Sequence, residues 1–342
     1  MGGVVVRLSV RAAVFCAVML AVCAAGRRAS ADVTTEHGAS ILLFPRIIAD
    51  GSRDTVVQVA NLSNGSVHVL CSYVNAASTS WQSFDFRFAL GAGRPTHWSA
   101  AAGRAPDEGQ DSVDIPAAAA PFRGELICVQ VGVDGAPLSG DDLVGEATVI
   151  DLGTGGVAGY AAAGLRSMGF NDEDGFLCIG GESGEHCPVG PEYEACPAEW
   201  MLSVPAEGAP DEQFGAGAAV ATRLTVAPCS QDLQDALPGA VTILVAVVNE
   251  LGQQFTASLP VTRWADVSLA DIGGQVFTRS VLGSDFAEAR FQPAVGSGGF
   301  ILAAETTRSI EDHPLVTSAA VTAHTRGDVT EPDLLVLPMG TP

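Results

Sequence analysis

Between Ser66 and Asn75 the apolar residues Val67, Val69, Cys71 and Tyr73 fall at every second position, with His68 and Ser72 between them. That spacing puts one set of side chains on one face of an extended strand and the other set on the opposite face. It predicts a half-buried β-strand. Ser83 to Leu90 repeats the pattern, with Phe84, Phe86, Phe88 and Leu90 on one side and Asp85 and Arg87 on the other. Asp54 to Asn61 is rich in β-branched residues and ends at Leu62-Ser63-Asn64-Gly65. Asn-Gly tolerates positive φ, so a hairpin to the 66–75 strand is expected there. Further strands are expected at 124–133, 145–151 and 156–163. Val241 to Asn249 and Gln254 to Thr262 flank Glu250-Leu251-Gly252-Gln253 as a second hairpin. Nothing sustains a helical period with caps, apart from a short helix expected at Pro197–Leu202.

Short alternating segments separated by Gly and Pro turns read as an all-β chain of two immunoglobulin-like β-sandwich domains. The boundaries expected are a signal peptide at 1–31, a first sandwich at 32–166, a cysteine-rich connector at 167–214 and a second sandwich at 215–342. A weak echo joins the halves: Thr55–Asn61 and Thr242–Asn249 each run from Thr through apolar residues to an Asn and a turn.

The N-terminus has the form of a secretion signal. Arg7 and Arg11 precede an apolar run from Ala12 to Ala25, and Ala29-Ser30-Ala31 provides a small-residue cleavage site. The run is shorter than the roughly 20 residues a spanning helix needs, and no second run of membrane length follows. Cys23 sits after Leu20-Ala21-Val22, a sequence close to a lipoprotein box, although valine is a poor fit to the small residue wanted before the cysteine. Removing the leader leaves Cys71, Cys128, Cys178, Cys187, Cys196 and Cys229. Six cysteines in an exported chain imply disulfides, and fifteen pairings are open. Cys71 and Cys128 lie in strand-like runs, so a bridge between neighbouring strands or sheets is expected. The other four would staple the loop-rich stretch. The rival is zinc at Cys178, Cys187, Cys196 and His186, but the gaps exceed usual zinc spacing.

All 17 basic residues of the 342 are arginine. Without lysine, Schiff-base, Walker-A and Ser–Lys chemistry have no reagent. Beyond residue 31 there remain 13 arginines against 39 acidic residues, a net charge of −26. That field repels phosphate backbones and anionic lipid, so nucleic acid is excluded as a natural partner.

Leu43-Phe44-Pro45, Asp54-Thr55 with Asn61, and Cys71-Ser72-Tyr73-Val74-Asn75 open a pattern that continues through Arg123-Gly124-Glu125-Leu126 and Gly145-Glu146-Ala147-Thr148. It ends with Ala195-Cys196-Pro197-Ala198-Glu199-Trp200 and Pro228-Cys229-Ser230-Gln231. These segments resemble an uncharacterised family of exported, cysteine-containing bacterial β-rich proteins over most of the chain. The 54–75 segment is similar to the start of bacterial immunoglobulin-like modules. The resemblance carries no activity with it.

Motifs for catalysis are absent: there is no G-x-S-x-G and no H-E-x-x-H, and the six histidines are scattered. Asp151 to Ala158 looks like a dinucleotide fingerprint, but a Gly-rich hairpin turn is the reading the surrounding strands favour. Asn171-Asp172-Glu173-Asp174-Gly175 offers Asp172 and Asp174 as calcium ligands, without the alternate-position spacing of an EF-hand. No other cofactor is expected. The functional expectation is a non-catalytic binding or structural protein of the bacterial envelope, adhesion- or scaffold-like. It would lie in the periplasm or outside the cell and contact a protein or glycan there. The alternative is a secreted hydrolase or carbohydrate-binding module with a loop-built site.

Overall fold

The computed structural model describes residues 37–76, 81–106, 114–181, 185–210, 218–310, 313–321, 324–325 and 333–338. The expected signal peptide and Cys23 lie outside the described residues. All of the described residues belong to one unit, Ala31–Pro342.

In chain order the strands are β1 (Ile41–Ala49), β2 (Arg53–Asn61), β3 (Val67–Asn75), β4 (Gln82–Leu90), β5 (Pro95–Ser99), β6 (Phe122–Val131), β7 (Leu143–Asp151), β8 (Val157–Ala161) and β9 (Ala163–Leu165). The cysteine-rich stretch supplies β10 (Phe176–Ile179) and β11 (Trp200–Pro205). Then come β12 (Ala218–Pro228), β13 (Gln231–Asp232), β14 (Ala240–Asn249), β15 (Gln254–Thr262) and β16 (Ala265–Ser268). A one-turn helix, α1 (Arg279–Leu282), precedes β17 (Phe286–Pro293). The chain closes with β18 (Phe300–Ile310), β19 (His313–Val321), β20 (His324–Thr325) and β21 (Asp333–Val336).

These strands form five sheets, in the orders β4-β3-β6-β1-β9, β5-β2-β7-β8, β10-β21-β13, β15-β14-β17-β11-β20 and β16-β12-β18-β19. The all-β expectation holds. The arrangement does not: it is that of a five-bladed β-propeller rather than two immunoglobulin-like sandwiches joined by a loop. The decisive observation is β1, buried at all nine positions. Leu42 and Phe44 enter one hydrophobic core, with Tyr73, Phe86, Phe88 and Trp98. Ile41 and Leu43 enter the other, with Leu224 and Val226 of β12, Phe291 and Phe300. β3 and β6 divide their side chains in the same way, Cys71 and Cys128 to the first core and Leu70 and Ile127 to the second. A free-standing two-layer sandwich leaves one face of each sheet to water. This sheet is covered on both, so the β3 strand expected to be half-buried is buried throughout its middle, Ser72 included.

The cysteine-rich stretch is not a loop region between sandwiches. Its β10 pairs antiparallel with β21, and β21 pairs parallel with β13. The expected helix at Pro197–Leu202 does not form: its second half is the start of β11, whose Trp200 pairs with Phe291 on one side and Thr325 on the other.

The two expected hairpins part company. β14 and β15 are paired in register from Ala240↔Thr262 to Val248↔Gln254. β2 and β3 are not paired at all: β2 lies between β5 and β7, and β3 between β4 and β6. Both turns use the same device. The side-chain oxygen of Asn61 accepts the N–H of Ser63, and that of Asn249 accepts the N–H of Leu251. The Asn61 amide then donates to the carbonyls of Gly65, Leu90 and Gly91, and the Asn249 amide to the Leu282 carbonyl at 2.6 Å. Each asparagine is buried, so truncation strands several acceptors. Asn249→Ala is expected to lower unfolding free energy by about 1–3 kcal/mol, read from urea denaturation; a loss below the error of that measurement would dismiss the asparagine as a structural pin. The Asp151–Ala158 segment is the β7–β8 hairpin turn, with the Asp151 carboxylate accepting the N–H groups of Gly153 and Thr154.

Candidate functional site

The six cysteines form three disulfides, Cys71–Cys128, Cys178–Cys187 and Cys196–Cys229. Cys71 and Cys128 face each other directly across the β3–β6 pair, with Cα atoms 4.1 Å apart. The thiols weighed as zinc ligands are spent in these bonds. An Asp333 oxygen lies within 4.8 Å of the Cys196 and Cys229 sulfurs, but disulfide sulfur is no thiolate and offers a metal little.

Asp172 and Asp174 share a loop whose carboxylates brace its own backbone. The Asp172 N–H donates to Glu192, the Asp174 N–H to Asp172 and the Phe176 N–H to Asp174. Burial, and then the neighbouring Asp172 charge, push the Asp174 carboxyl up. Burial likewise raises Glu192, which also accepts the Cys178 N–H at 3.1 Å. The Asp172 and Asp174 side chains lie within hydrogen-bonding reach of each other, and among the described residues no third ligand gathers with them into a metal-sized group.

The most heavily charged buried cluster was invisible in the spacing of the sequence. Arg46 is 2% exposed. Its guanidinium donates to Asp266 at 2.7 Å, to the Thr225 hydroxyl at 2.6 Å and to Glu305. Arg53 reaches the same Glu305 oxygen at 3.0 Å, and Arg223 the other Asp266 oxygen at 3.1 Å. The Arg46 backbone is held too: the Tyr160 hydroxyl donates to its carbonyl, and Trp264 Nε1 donates to the Pro45 carbonyl. Burial works against ionised Asp266, but Arg46 and Arg223 hold its carboxyl below the usual range. Among the buried side-chain atoms of this cluster only Arg46 Nε lacks a protein partner, and the cluster clamps β1 to β12, β16 and β18. The one sequence signal was Arg46 itself, a lone charge inside Ile-Leu-Leu-Phe-Pro-Arg-Ile-Ile-Ala, which burial obliges to be paired.

The open site is the solvent face of the β15-β14-β17-β11 sheet. Strict alternation brings Leu244, Ala246 and Val248 of β14 to this face, beside Gln292, Arg290 and Glu288 of β17 and opposite Ser258, Thr256 and Gln254 of β15. Ser203 of β11 stands across from Glu288. A cleft of about 660 Å³ opens over this grid, walled by Phe255 and Phe286. Phe286 is 55% exposed and Leu244 47%. The Glu250 carboxylate at the rim accepts the N–H groups of Asp285 and Phe286, and Glu288 lies 3.8 Å from Arg290. Ser203 and Thr256 are the hydroxyls in the lining, and no histidine stands beside them among the residues that form the cleft. The carboxylates of Glu250 and Glu288 line the same cleft.

The tryptophans do not form a sugar-stacking row. Trp81, Trp98 and Trp200 are buried, as are Tyr73 and Tyr193. Trp98 Nε1 donates to the Tyr73 hydroxyl at 2.6 Å and Trp200 Nε1 to the Phe300 carbonyl, as core residues do. Among the described residues no helix is long and apolar enough to cross a membrane.

No protein-family model matches the chain, and no curated protein matches it, so no family is assigned. Among solved structures it is distantly similar to a protein from Parabacteroides distasonis ATCC 8503 described as secreted, at 11% identity and a TM-score of 0.20, over 82% of this chain and 76% of that one. The Streptomyces avermitilis alpha-L-rhamnosidase in complex with L-rhamnose matches at 10% identity and 0.20, over 84% of this chain but 27% of the enzyme. The apo Pleurotus ostreatus lectin matches at 12% and 0.18, over 85% and 80%. Likenesses this remote carry no weight for fold or function.

Proposed function

We propose that the chain is an exported, non-catalytic binding component of the bacterial envelope, and that its contact surface is the open face of the β15-β14-β17-β11 sheet. One observation carries this reading: a rigid sheet presents Leu244, Ala246, Val248 and Phe286 to solvent beside a cleft whose charged groups are tied to one another or to backbone. Exposed apolar side chains beside a cleft favour an interaction site, and an exposed ring such as Phe286 is the kind of side chain that anchors a partner. Three disulfides suit a periplasmic or extracellular station. The partner is a protein or glycan of that compartment.

The test is capture from the producer's envelope fraction on immobilised mature protein, alongside a Leu244→Ser, Phe286→Ser variant. Both side chains are exposed, so stability should change by no more than about 0.5 kcal/mol per site. The native protein should retain a discrete partner at least tenfold better than the variant. Equal retention by both, or hydrolysis of an envelope component by the native protein, would reject the assignment.

A further inference from the structure

We infer that Glu125 is a carboxylic acid rather than a carboxylate in the folded protein, and that its proton closes a ring of two hydrogen bonds with the Gln231 amide, a latch between β6 and the β10-β21-β13 sheet that loosens as the pH rises.

The geometry requires a proton. Glu125 is 1% exposed and Gln231 4%. One amide hydrogen of Gln231 goes to Glu125 Oε1 at 2.6 Å, and the other to the Pro228 carbonyl at 3.0 Å. The Pro228 carbonyl can only accept, so the amide cannot be turned over. Two buried oxygens are left without donors: Glu125 Oε2 and Gln231 Oε1. A carboxylate would leave both of them unsatisfied, together with an unpaired buried charge, the costliest state a core can hold. A single proton on Oε2 donates to the Gln231 carbonyl and satisfies both, giving the cyclic acid–amide pair.

Among the described residues packed around it, no cation is placed to stabilise the charged form. On β1, Arg46 is committed to Asp266 and Glu305, and on β6 itself Arg123 pairs with Asp50. On β3, the Tyr73 hydroxyl belongs to the other core and takes Trp98 Nε1, while His68 lies at the far end, opposite Val131. The other ionisable neighbours are acidic: Asp232 on β13 caps the Asp235 N–H, and Asp333 on β21 accepts from the Ser230 hydroxyl and the Gly299 N–H. Burial accordingly lifts the Glu125 carboxyl to about 8, against about 4.5 in an unfolded chain. The same effect lifts Asp333, on β21 of the small sheet, to about 6.

A group raised in the folded state contributes its full stability below the unfolded value and loses it as the pH climbs through the folded one. The stability the proton lends is therefore full in mild acid and falls through neutrality, while the latch itself opens near pH 8. Urea unfolding of the native protein and of Glu125→Gln, followed from pH 5 to 9, isolates it from Asp333 and the other acids. The unfolding constant of the native protein, relative to that of the variant, should rise by about tenfold per pH unit up to about pH 8 and then level off. Parallel profiles would overturn the inference. If the variant does not fold, infrared spectra of the native protein labelled with carbonyl-¹³C glutamate decide alone. A protonated-acid carbonyl band that persists at pH 7 and fades by pH 9 is expected, and ionised glutamate only at pH 7 would refute the latch.

Discussion

Replacing Arg46 by methionine should lower the unfolding free energy by about 3–5 kcal/mol, the usual cost of removing one partner from a buried ion network. The size of the effect comes from what stays behind. Asp266 and Glu305 remain buried, each left with one arginine, Arg223 or Arg53, approaching from the less buried side. Methionine fills much of the space of the arginine stem, so the loss reports charge and hydrogen bonding rather than a cavity. Tryptophan fluorescence is a suitable probe during urea unfolding, because Trp264 is bonded to the carbonyl of Pro45, one residue from the substitution. A drop under about 1 kcal/mol would mean that the remaining arginines carry the cluster and that Arg46 is no clamp. Asp266 adds a pH signature. Its carboxyl is held below the ordinary range, so the stability it lends is present above the unfolded value and disappears as the pH falls through the folded one. In the methionine variant the Asp266 carboxyl loses the Arg46 charge that lowers it, so the acid-side loss due to Asp266 should become smaller.

Removing the Cys71–Cys128 bridge, by alanine at both positions, should cost about 4 kcal/mol on the chain-entropy account of a loop closed over 57 residues. The same reasoning gives about 2.5 kcal/mol for Cys178–Cys187, which closes only 9. Alanine is the right replacement, since both positions are fully buried and a serine hydroxyl would add an unsatisfied group. Denaturant midpoints of the two double variants rank the bridges. If the short bridge proved the more valuable, loop closure would not be what these disulfides contribute, and packing around them would have to explain the order.

The comparison of turns shows how far local chemistry reaches. Asn61 and Asn249 build the same bond to the N–H two residues on, and the residues around both read as hairpins. Only β14 and β15 pair. After Asn61 the chain crosses to another sheet, because the Asn61 amide is also bound to the carbonyls of Leu90 and Gly91, residues far along the chain. A turn reverses direction through its own φ and ψ values, whereas pairing depends on partners that sequence distance conceals. β11 failed for the same reason: Pro197–Leu202 has no strong period of its own, and Phe291 and Thr325 on either side of Trp200 make it a strand. The strand at 241–249 that carries the proposed contact face was legible as one arm of a hairpin, but which of its two faces meets solvent was not. Glu125 stood in the sequence as an ordinary acid in a strand, and Arg46 as an oddity in an apolar run.

By itself the sequence determined the strand class, most strand positions and the disulfide chemistry, since each of these depends on residue identity and on neighbours a few positions away. The number of sheets, the covering of β1 on both faces, the three cysteine pairs and the two buried polar clusters were decided only in the tertiary structure. A two-residue period says that a strand has two faces. Whether the second face meets water or another core depends on which distant segments pack against it, and burial of that face is what forces Arg46 into its ion network and Glu125 to keep its proton.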